Sequence, residues 1–597
     1  MLNLDEIVVN MYFKSIRLLI SKMVTPVIME LPVMLVFFIF IKGSLLEFFK
    51  DNDYDNAWDY LSAFGIYFIY AYFIALSITL LKKAWVRWLW YIVLFIIFAL
   101  SCFIAVNFDM KIGPTLITLL VETNGREAGE FLGTYLFTSE SFKVYVKIIF
   151  YVFFVALLEI GYRKFILSKA FLHESLIASI AICIFILLGL SRWGWYFYNV
   201  SKPDGENLDF PASDNYTRLI CSLIIESKQA DIINRAIDVS LNSSEATLIR
   251  KEDSLNVILV IGESFNKHHA SLYGYSLTTT PNLQSQKEKG NLYDFLDVVT
   301  SYNYTSMSLK NMMSCNSISD SEIWSDYPYF PVLFKKAGFD VYFWSNQHES
   351  SNGSVFEYAL NSYLYNPRLL DYSYTMINKH TFEYDGQLVD DFNNQILSSQ
   401  KELGPNNLFL FHLMGQHTVY KSRFPNTDAH IRFTANDIHR NDEYLNKEKL
   451  QYIADYDNAI FYNDEILAKI INMFAGSNAV LVFLSDHGEE VFDFRDRMGR
   501  SYTDSVSSSF LKYQYEVPFV IWCSDIFKVK YPDLMKDISS AVSKPFMIDN
   551  LCQLLFHLGG IMTEYYHPQR DPLSSDYISK VRIVRGDVNY DEMRINK

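Results

Sequence analysis

The chain has 597 residues, half of them hydrophobic and 16% aromatic, with a mean hydropathy of +0.07 and a formal charge of -15. This length predicts more than one domain, and no basic tract reaches the density that a general nucleic-acid binder needs. Six cysteines, Cys102, Cys183, Cys221, Cys315, Cys523 and Cys552, form no CxxC pair, which argues against a cysteine zinc site.

A membrane-spanning helix needs about 20 mostly apolar residues. Five runs in the first third of the chain meet that demand, at 26–48, 63–81, 88–108, 144–162 and 175–193. One such run is equally a buried helix of a soluble protein. Five in close succession, split by short polar connections, predict an α-helical transmembrane bundle over residues 1–195. No early apolar run ends in a small-residue cleavage site, so the first span reads as a retained anchor. Lys14, Arg17 and Lys22 precede it. Lys82, Lys83 and Arg87 separate the second and third spans, and Arg163, Lys164 and Lys169 the fourth and fifth. The first connection is instead the acidic KDNDYDNAWD. Basic loops stay on the cytoplasmic side, so five crossings place everything after Arg192 outside. Residues 1–24 read as an amphipathic helix on the inner surface or as an extension of the first span.

Residues 196–250 read as a linker, with Pro203, Gly205 and Pro211 and a helix-like stretch over 216–241. From 251 to 597 the pattern is that of a soluble domain. NVILVIGES at 256–264 is a buried strand running into a polar turn, and NLFLFHLMGQH at 407–417 and NAVLVFLSDHGEE at 478–490 repeat the pattern. Shorter strands are expected at 340–344 and 518–522, with helical periodicity between, as over 456–474. Strands alternating with helices predict an α/β domain with a largely parallel central sheet, whose ligands bind beyond the carboxyl ends of the strands. Three strands end in candidate ligands: Glu263, His417, and Asp486 with His487. Taken singly, GES and SDHG are ordinary turns. Together, each closing a strongly apolar strand, they favour a metal site of the oxygen and imidazole kind that suits zinc.

GESFNKHHASLYGYSLTTTPNL at 262–283 and SDHGEEVFDFRDRMGR at 485–500 resemble the phosphoethanolamine transferases of the alkaline phosphatase and sulfatase superfamily, as do SNQ at 345–347, GQH at 415–417 and VPF at 517–519. The GES-to-TTPNL segment is closest to members acting on lipopolysaccharide core sugars. The resemblance implies five amino-terminal spans in the bacterial inner membrane and a periplasmic sulfatase-like catalytic domain. It implies a threonine nucleophile ahead of a Ser-x-x-x-Met-x-Ser stretch. TSMSLKNMMS begins at Thr305, with Ser308, Met312 and Ser314 in register, so Thr305 takes that position and the nearby Thr278, Thr279 and Thr280 do not. Zinc is then expected on Glu263, Thr305, Asp486 and His487, with His417 binding phosphate or protonating the leaving group. Lys310, Asn346 and Gln347 are expected phosphate contacts. Glu122, Asn124 and Glu127, in the loop VETNGREAGEF, match a family segment and are expected to meet the substrate headgroup. His268, His269 and His412 are expected to be structural.

Two departures stand out. Many relatives carry a second histidine about a dozen residues past DHG, where this chain has Arg500 or a neighbour; an arginine there is expected to bind phosphate, which puts the proton-transfer role of that position in doubt. Relatives acting on lipid A flank the nucleophile loop with a disulfide, and Cys315 has no cysteine near it in sequence, so that brace is expected to be absent. The resemblance implies transfer of phosphoethanolamine from phosphatidylethanolamine to lipopolysaccharide or another glycolipid. The competing readings are a phosphoglycerol transferase of the lipoteichoic acid synthase type and a non-catalytic membrane protein that keeps the fold. A sulfatase is disfavoured because no C-x-P-x-R sequence is present to supply a formylglycine.

Overall fold

The computed structural model describes the chain apart from residues 1–3, 41–56, 109, 115, 118–119, 121–128, 130–131, 134, 167–175, 201–214, 251–253, 348–362, 400–402, 502–505 and 596–597. Two compact units divide between Lys228 and Gln229.

The first unit is helical: α1 (Leu4–Met29), α2 (Leu31–Phe40), α3 (Ala57–Leu81), α4 (Ala84–Phe108), α5 (Ser139–Gly161), α6 (Leu176–Val200) and α7 (Asn215–Ser227). Among the described residues, four segments are long and apolar enough to cross a membrane: Phe64–Leu81, Ala84–Phe108, Ser141–Lys164 and Ile177–Trp195. The fifth expected span is not one straight helix. Ser21–Met29 and Leu31–Phe40 meet at a 65° bend, and the count reaches five when this bent pair is taken as one span. Pro32 explains the break. It has no N–H to give to the Ile28 carbonyl one turn back. That carbonyl accepts instead from the Tyr162 hydroxyl at 2.6 Å.

The bend buries Glu30, and two arginines answer it. Arg87 Nε and Nη2 each stand 2.7 Å from a Glu30 oxygen, and Arg163 Nη2 stands 3.1 Å away. Arg163 also bonds Glu159, which accepts from the Tyr91 hydroxyl at 2.8 Å. Arg87 and Arg163, read from sequence as loop charges, therefore lie within helical turns and neutralise two acids. Nearby, α3 and α6 pack so closely that a side chain added at Gly65 or Gly189 would strike the backbone of the other helix. Small residues of this kind let membrane helices approach.

The second unit opens with α8 (Gln229–Leu241), so the expected linker is largely helical, α7 joining one unit and α8 the other. Its centre is a seven-stranded sheet of β1 (Leu255–Gly262), β2 (Leu292–Asp294), β3 (Asp340–Ser345), β4 (Met376–Ile377), β5 (Asn406–His412), β6 (Ala479–Ser485) and β7 (Phe519–Cys523). The order is β2-β7-β6-β1-β5-β3-β4. Only β7 runs against its neighbours, so the sheet is mixed but largely parallel. Both faces are covered, which is why β1, β5 and β6 read as unbroken apolar runs. Val257, Leu259 and Ile261 enter one core with Ile233 and Ile237 of α8. Ile258 and Val260 enter the other, with Tyr456, Ile460 and Leu467 of α10 (Lys447–Phe474).

Candidate active site

Register builds the site. In the parallel pair β1–β6, Gly262 lies opposite Ser485, so Glu263 and Asp486 leave adjacent strands side by side. In β1–β5, Ile261 lies opposite His412, so the loop to His417 leaves the same edge. The fourth participant comes from a helix. Thr305 is the first residue of α9 (Thr305–Met313), after the extended Tyr304. Its hydroxyl donates to Glu263 Oε2 at 3.0 Å and stands 3.3 Å from His487 Nε2. Ser308, one turn on, donates to the Asp486 carbonyl at 2.6 Å, and Thr300 reaches the same oxygen at 2.7 Å. The Ser308 spacing thus locks α9 onto the turn that carries Asp486 and His487.

His487 Nε2 lies 3.2 Å from Glu263 Oε1 and 3.3 Å from Asp486 Oδ2. His487 Nδ1 is held by the Gly488 carbonyl at 2.8 Å, which aims Nε2 inward as an acceptor. Glu263, Asp486 and His487 are all fully buried, and one ligand atom from each lies within 4.8 Å of the others. Burial, then the charge of Glu263, push the Asp486 carboxyl well above its usual range. Asp486 Oδ2 is buried with no hydrogen-bond partner. Two dry carboxylates, a hydroxyl and an imidazole nitrogen in one place are a donor set for a small dication, and zinc fits it.

The model for the family described as Sulfatase matches residues 255–558. The chain belongs to the sulfatase family. Within it the chain stands among the phosphoethanolamine transferases. It is 27% identical over 490 residues to phosphoethanolamine transferase EptC of Escherichia coli strain K12, covering 80% of each. The zinc complex of the C-terminal periplasmic domain of Escherichia coli EptC superposes with a TM-score of 0.50 at 25% identity, over 59% of this chain and 96% of that one. The integral membrane lipooligosaccharide phosphoethanolamine transferase A of Neisseria meningitidis shares the fold over 91% of this chain and 98% of its own, with a TM-score of 0.57 at 15% identity.

Around this sulfatase-family centre the other expected residues fare differently. Arg500 Nη1 reaches His487 Nε2 at 3.1 Å, so its charge faces the nitrogen that Thr305 faces. His417 has an enclosed Nδ1 without a partner, and burial pushes its imidazole down to about 3 despite the pull of Glu263. It is therefore neutral at physiological pH and does not bind phosphate as a cation. Gln347 donates to Glu263 Oε2 at 2.9 Å and to the Leu413 carbonyl at 3.0 Å, so it orients a carboxylate where a phosphate contact was expected. Asn346 is a brace: it donates to Asp385 at 2.9 Å and accepts from the Phe382 amide at 2.6 Å. Lys310 lies five residues past Thr305, about 140° round the helix. Its ammonium sits 5.8 Å over the Trp324 ring, not beside the nucleophile. Glu122, Asn124 and Glu127 lie outside the described residues. Thr279 and Thr280 cap local backbone at Ser271 and Leu272.

Sequence reasoning missed the residues that stiffen the ligand turn. Ser264 has a left-handed backbone, φ 58°, unusual for a residue with a side chain. Its hydroxyl donates to Glu263 and its amide to Asp486. The Tyr456 hydroxyl accepts from the Asn266 amide at 2.7 Å and donates to the Ser264 carbonyl at 2.6 Å. Gly415, at φ 50°, lies where any side chain would stand 2.8 Å from the Glu263 backbone. The glycine of GQH was the legible signal here. Tyr456 left none, since it is one apolar-face residue of a long helix.

Proposed function

We propose that the protein is a zinc-dependent enzyme that transfers phosphoethanolamine from phosphatidylethanolamine to the core sugar or lipid A of lipopolysaccharide. The reading places it in the bacterial inner membrane with its catalytic domain in the periplasm, and makes Thr305 the carrier of a covalent intermediate. The observation that carries it is the convergence of the Thr305 hydroxyl on Glu263 and His487, beside an unpartnered Asp486 oxygen, at the start of a helix.

Glu263, Thr305, Asp486 and His487 would hold the zinc. Zinc, when bound, supplies Lewis-acid charge that favours ionisation of a hydroxyl and draws charge from phosphoryl oxygens. Thr305 Oγ attacks phosphorus; its bond to phosphorus forms as the bond from phosphorus to the diacylglycerol oxygen breaks. The amino-terminal amides of α9 favour the incoming phosphoryl anion. Arg500, permanently charged, stabilises the phosphoryl oxygens. The proton released by Thr305 leaves with diacylglycerol, carried by His417 or by water. In the second half an acceptor hydroxyl attacks phosphorus, the threonine bond breaks, and Thr305 regains a proton.

The test uses the full-length chain, zinc and a lipid labelled in its headgroup. A mass increase of one phosphoethanolamine group should map to Thr305 before the acceptor is added and vanish after it. Thr305→Ala should abolish both the adduct and transfer, and Thr305→Ser should keep part of each. Transfer at the normal rate by Thr305→Ala would sink the mechanism.

A further inference from the structure

Cys315 and Cys552 stand far apart in the chain and together in space. Cys315 is the second residue after α9, and Cys552 is the second residue of α11 (Leu551–Gly559). Both are free thiols wholly buried in one core, and the Cys552 thiol stands close enough to help push the Cys315 thiol up. The same two segments are tied a second time. Asp549, just before α11, accepts from the Ser317 hydroxyl at 3.0 Å and from the Ile318 amide at 2.8 Å. On the other side, the Cys315 amide is fixed by the Pro328 carbonyl at 3.1 Å. The backbone on both sides of the thiol pair is thus held in place whether or not the sulfurs are joined.

We propose that Cys315 and Cys552 are oxidised to a disulfide that fastens the exit of the nucleophile helix α9 to α11. The inference rests on the reading that places this unit outside the cytoplasm, where disulfides form and persist. The oxidant is a disulfide donor, such as an oxidised dithiol protein. One cysteine thiolate attacks the donor disulfide and releases a donor thiol; the second cysteine then displaces the remaining donor sulfur. Two S–H bonds are lost and one S–S bond forms. Two electrons and two protons pass to the donor, which leaves as a dithiol. The exchange belongs to folding, before the core closes. Once buried, the pair is out of reach, and burial pushes the Cys315 thiol well above its usual range, which disfavours the reactive thiolate. The proposed cross-link would supply a brace where none was expected: no cysteine is near Cys315 in sequence, but Cys552 is near it in the fold.

The experiment takes the full-length chain from membranes quenched with acid at harvest, unfolds it in detergent without reductant, and alkylates it. Cys315 and Cys552 should come back as one cross-linked peptide, lighter by two hydrogens and free of alkyl label, while Cys523 is labelled. Cys315→Ser should leave Cys552 fully labelled in the unfolded chain. A reporter active only outside the cytoplasm, fused after Asn199, accompanies the mapping. Two labelled cysteines in a chain whose reporter is active would overturn the cross-link alone. A silent reporter with two labelled cysteines would overturn both the cross-link and the placement beneath it.

Discussion

Arg500 brings its charge to the same nitrogen that Thr305 reaches, 3.1 Å from His487 Nε2. A guanidinium does not titrate in the physiological range, so in the proposed mechanism it stabilises charge and leaves proton movement to other groups. Arg500→Gln is expected to lower kcat by about 10²-fold with zinc content unchanged, the size of effect seen when one preorganised donor to a developing anion is removed. Arg500→Lys should recover part of that loss. A kcat within twofold of the parent in Arg500→Gln would remove the residue from the mechanism. Legibility at this scale followed chemistry more than geometry. Glu263, Asp486 and His487 could be singled out because each closes an apolar strand, and the sheet register brings them together. Lys310 could not be placed, because five residues along a helix is the wrong phase to share a face with Thr305. Gln347 was found, but its bond to Glu263 was not foreseen. The amide reaches a carboxylate, and nothing in SNQ distinguishes that from reaching a phosphate.

Between elements, the Tyr456 hydroxyl joins α10 to the turn after β1. It satisfies one amide and one carbonyl around the left-handed Ser264. Tyr456→Phe leaves both groups buried and short of a partner, at about 1–3 kcal/mol for an unsatisfied group. Zinc affinity, measured by titration against a chelator, should fall in this variant while Thr305 remains able to form its adduct at saturating zinc. Unchanged affinity would show that the turn holds its shape unaided. In the helical unit, Arg87→Met removes the two-pronged partner of Glu30 in the bend between α1 and α2 and leaves it Arg163 alone of the two arginines. Breaking a buried pair from one side costs about 3–5 kcal/mol, whereas removing both charges is often neutral. The thermal midpoint in detergent should therefore fall in Arg87→Met and recover in the double variant with Glu30→Gln. No recovery would place the loss in packing of the arginine stem. The long strands and spans were legible because each is an apolar run longer than chance provides. The edge strands β2 and β4, of three and two residues, were not, since pairing and not pattern makes them strands. Pro32 was visible, yet the bend it causes needs Tyr162 and Arg87 from remote helices, and these meet only in the folded bundle.

At the scale of the whole molecule, the catalytic unit carries a buried pH-dependent tie. His269 lies between Asp457 at 2.6 Å and Asp493 at 3.0 Å. Burial alone would push its imidazole down, but the two carboxylates raise it to about 10 from an ordinary 6.5. A raised folded value means that the stabilisation is complete below the unfolded value and is lost as pH rises through the folded one. The thermal midpoint of the full-length protein should begin to fall as pH rises above about 6.5 and go on falling until pH nears about 10, and His269→Gln should flatten that fall. An equal fall in both proteins would assign the alkaline loss elsewhere.

The same sheet has a consequence for how the protein is made. Glu263 ends the first strand of the sheet to be synthesised, whereas Asp486 and His487 end the sixth, and the two strands are direct neighbours at the middle of the order. A chain emerging from its amino terminus exposes Glu263 and Thr305 long before their partners exist. Until β6 arrives, β1 has β5 on one side only, and Glu263 and Thr305 lack Asp486 and His487. A product truncated before Asp486 therefore cannot assemble the group of Glu263, Asp486 and His487. The site arrives late and all at once, with the strand that completes the middle of the sheet.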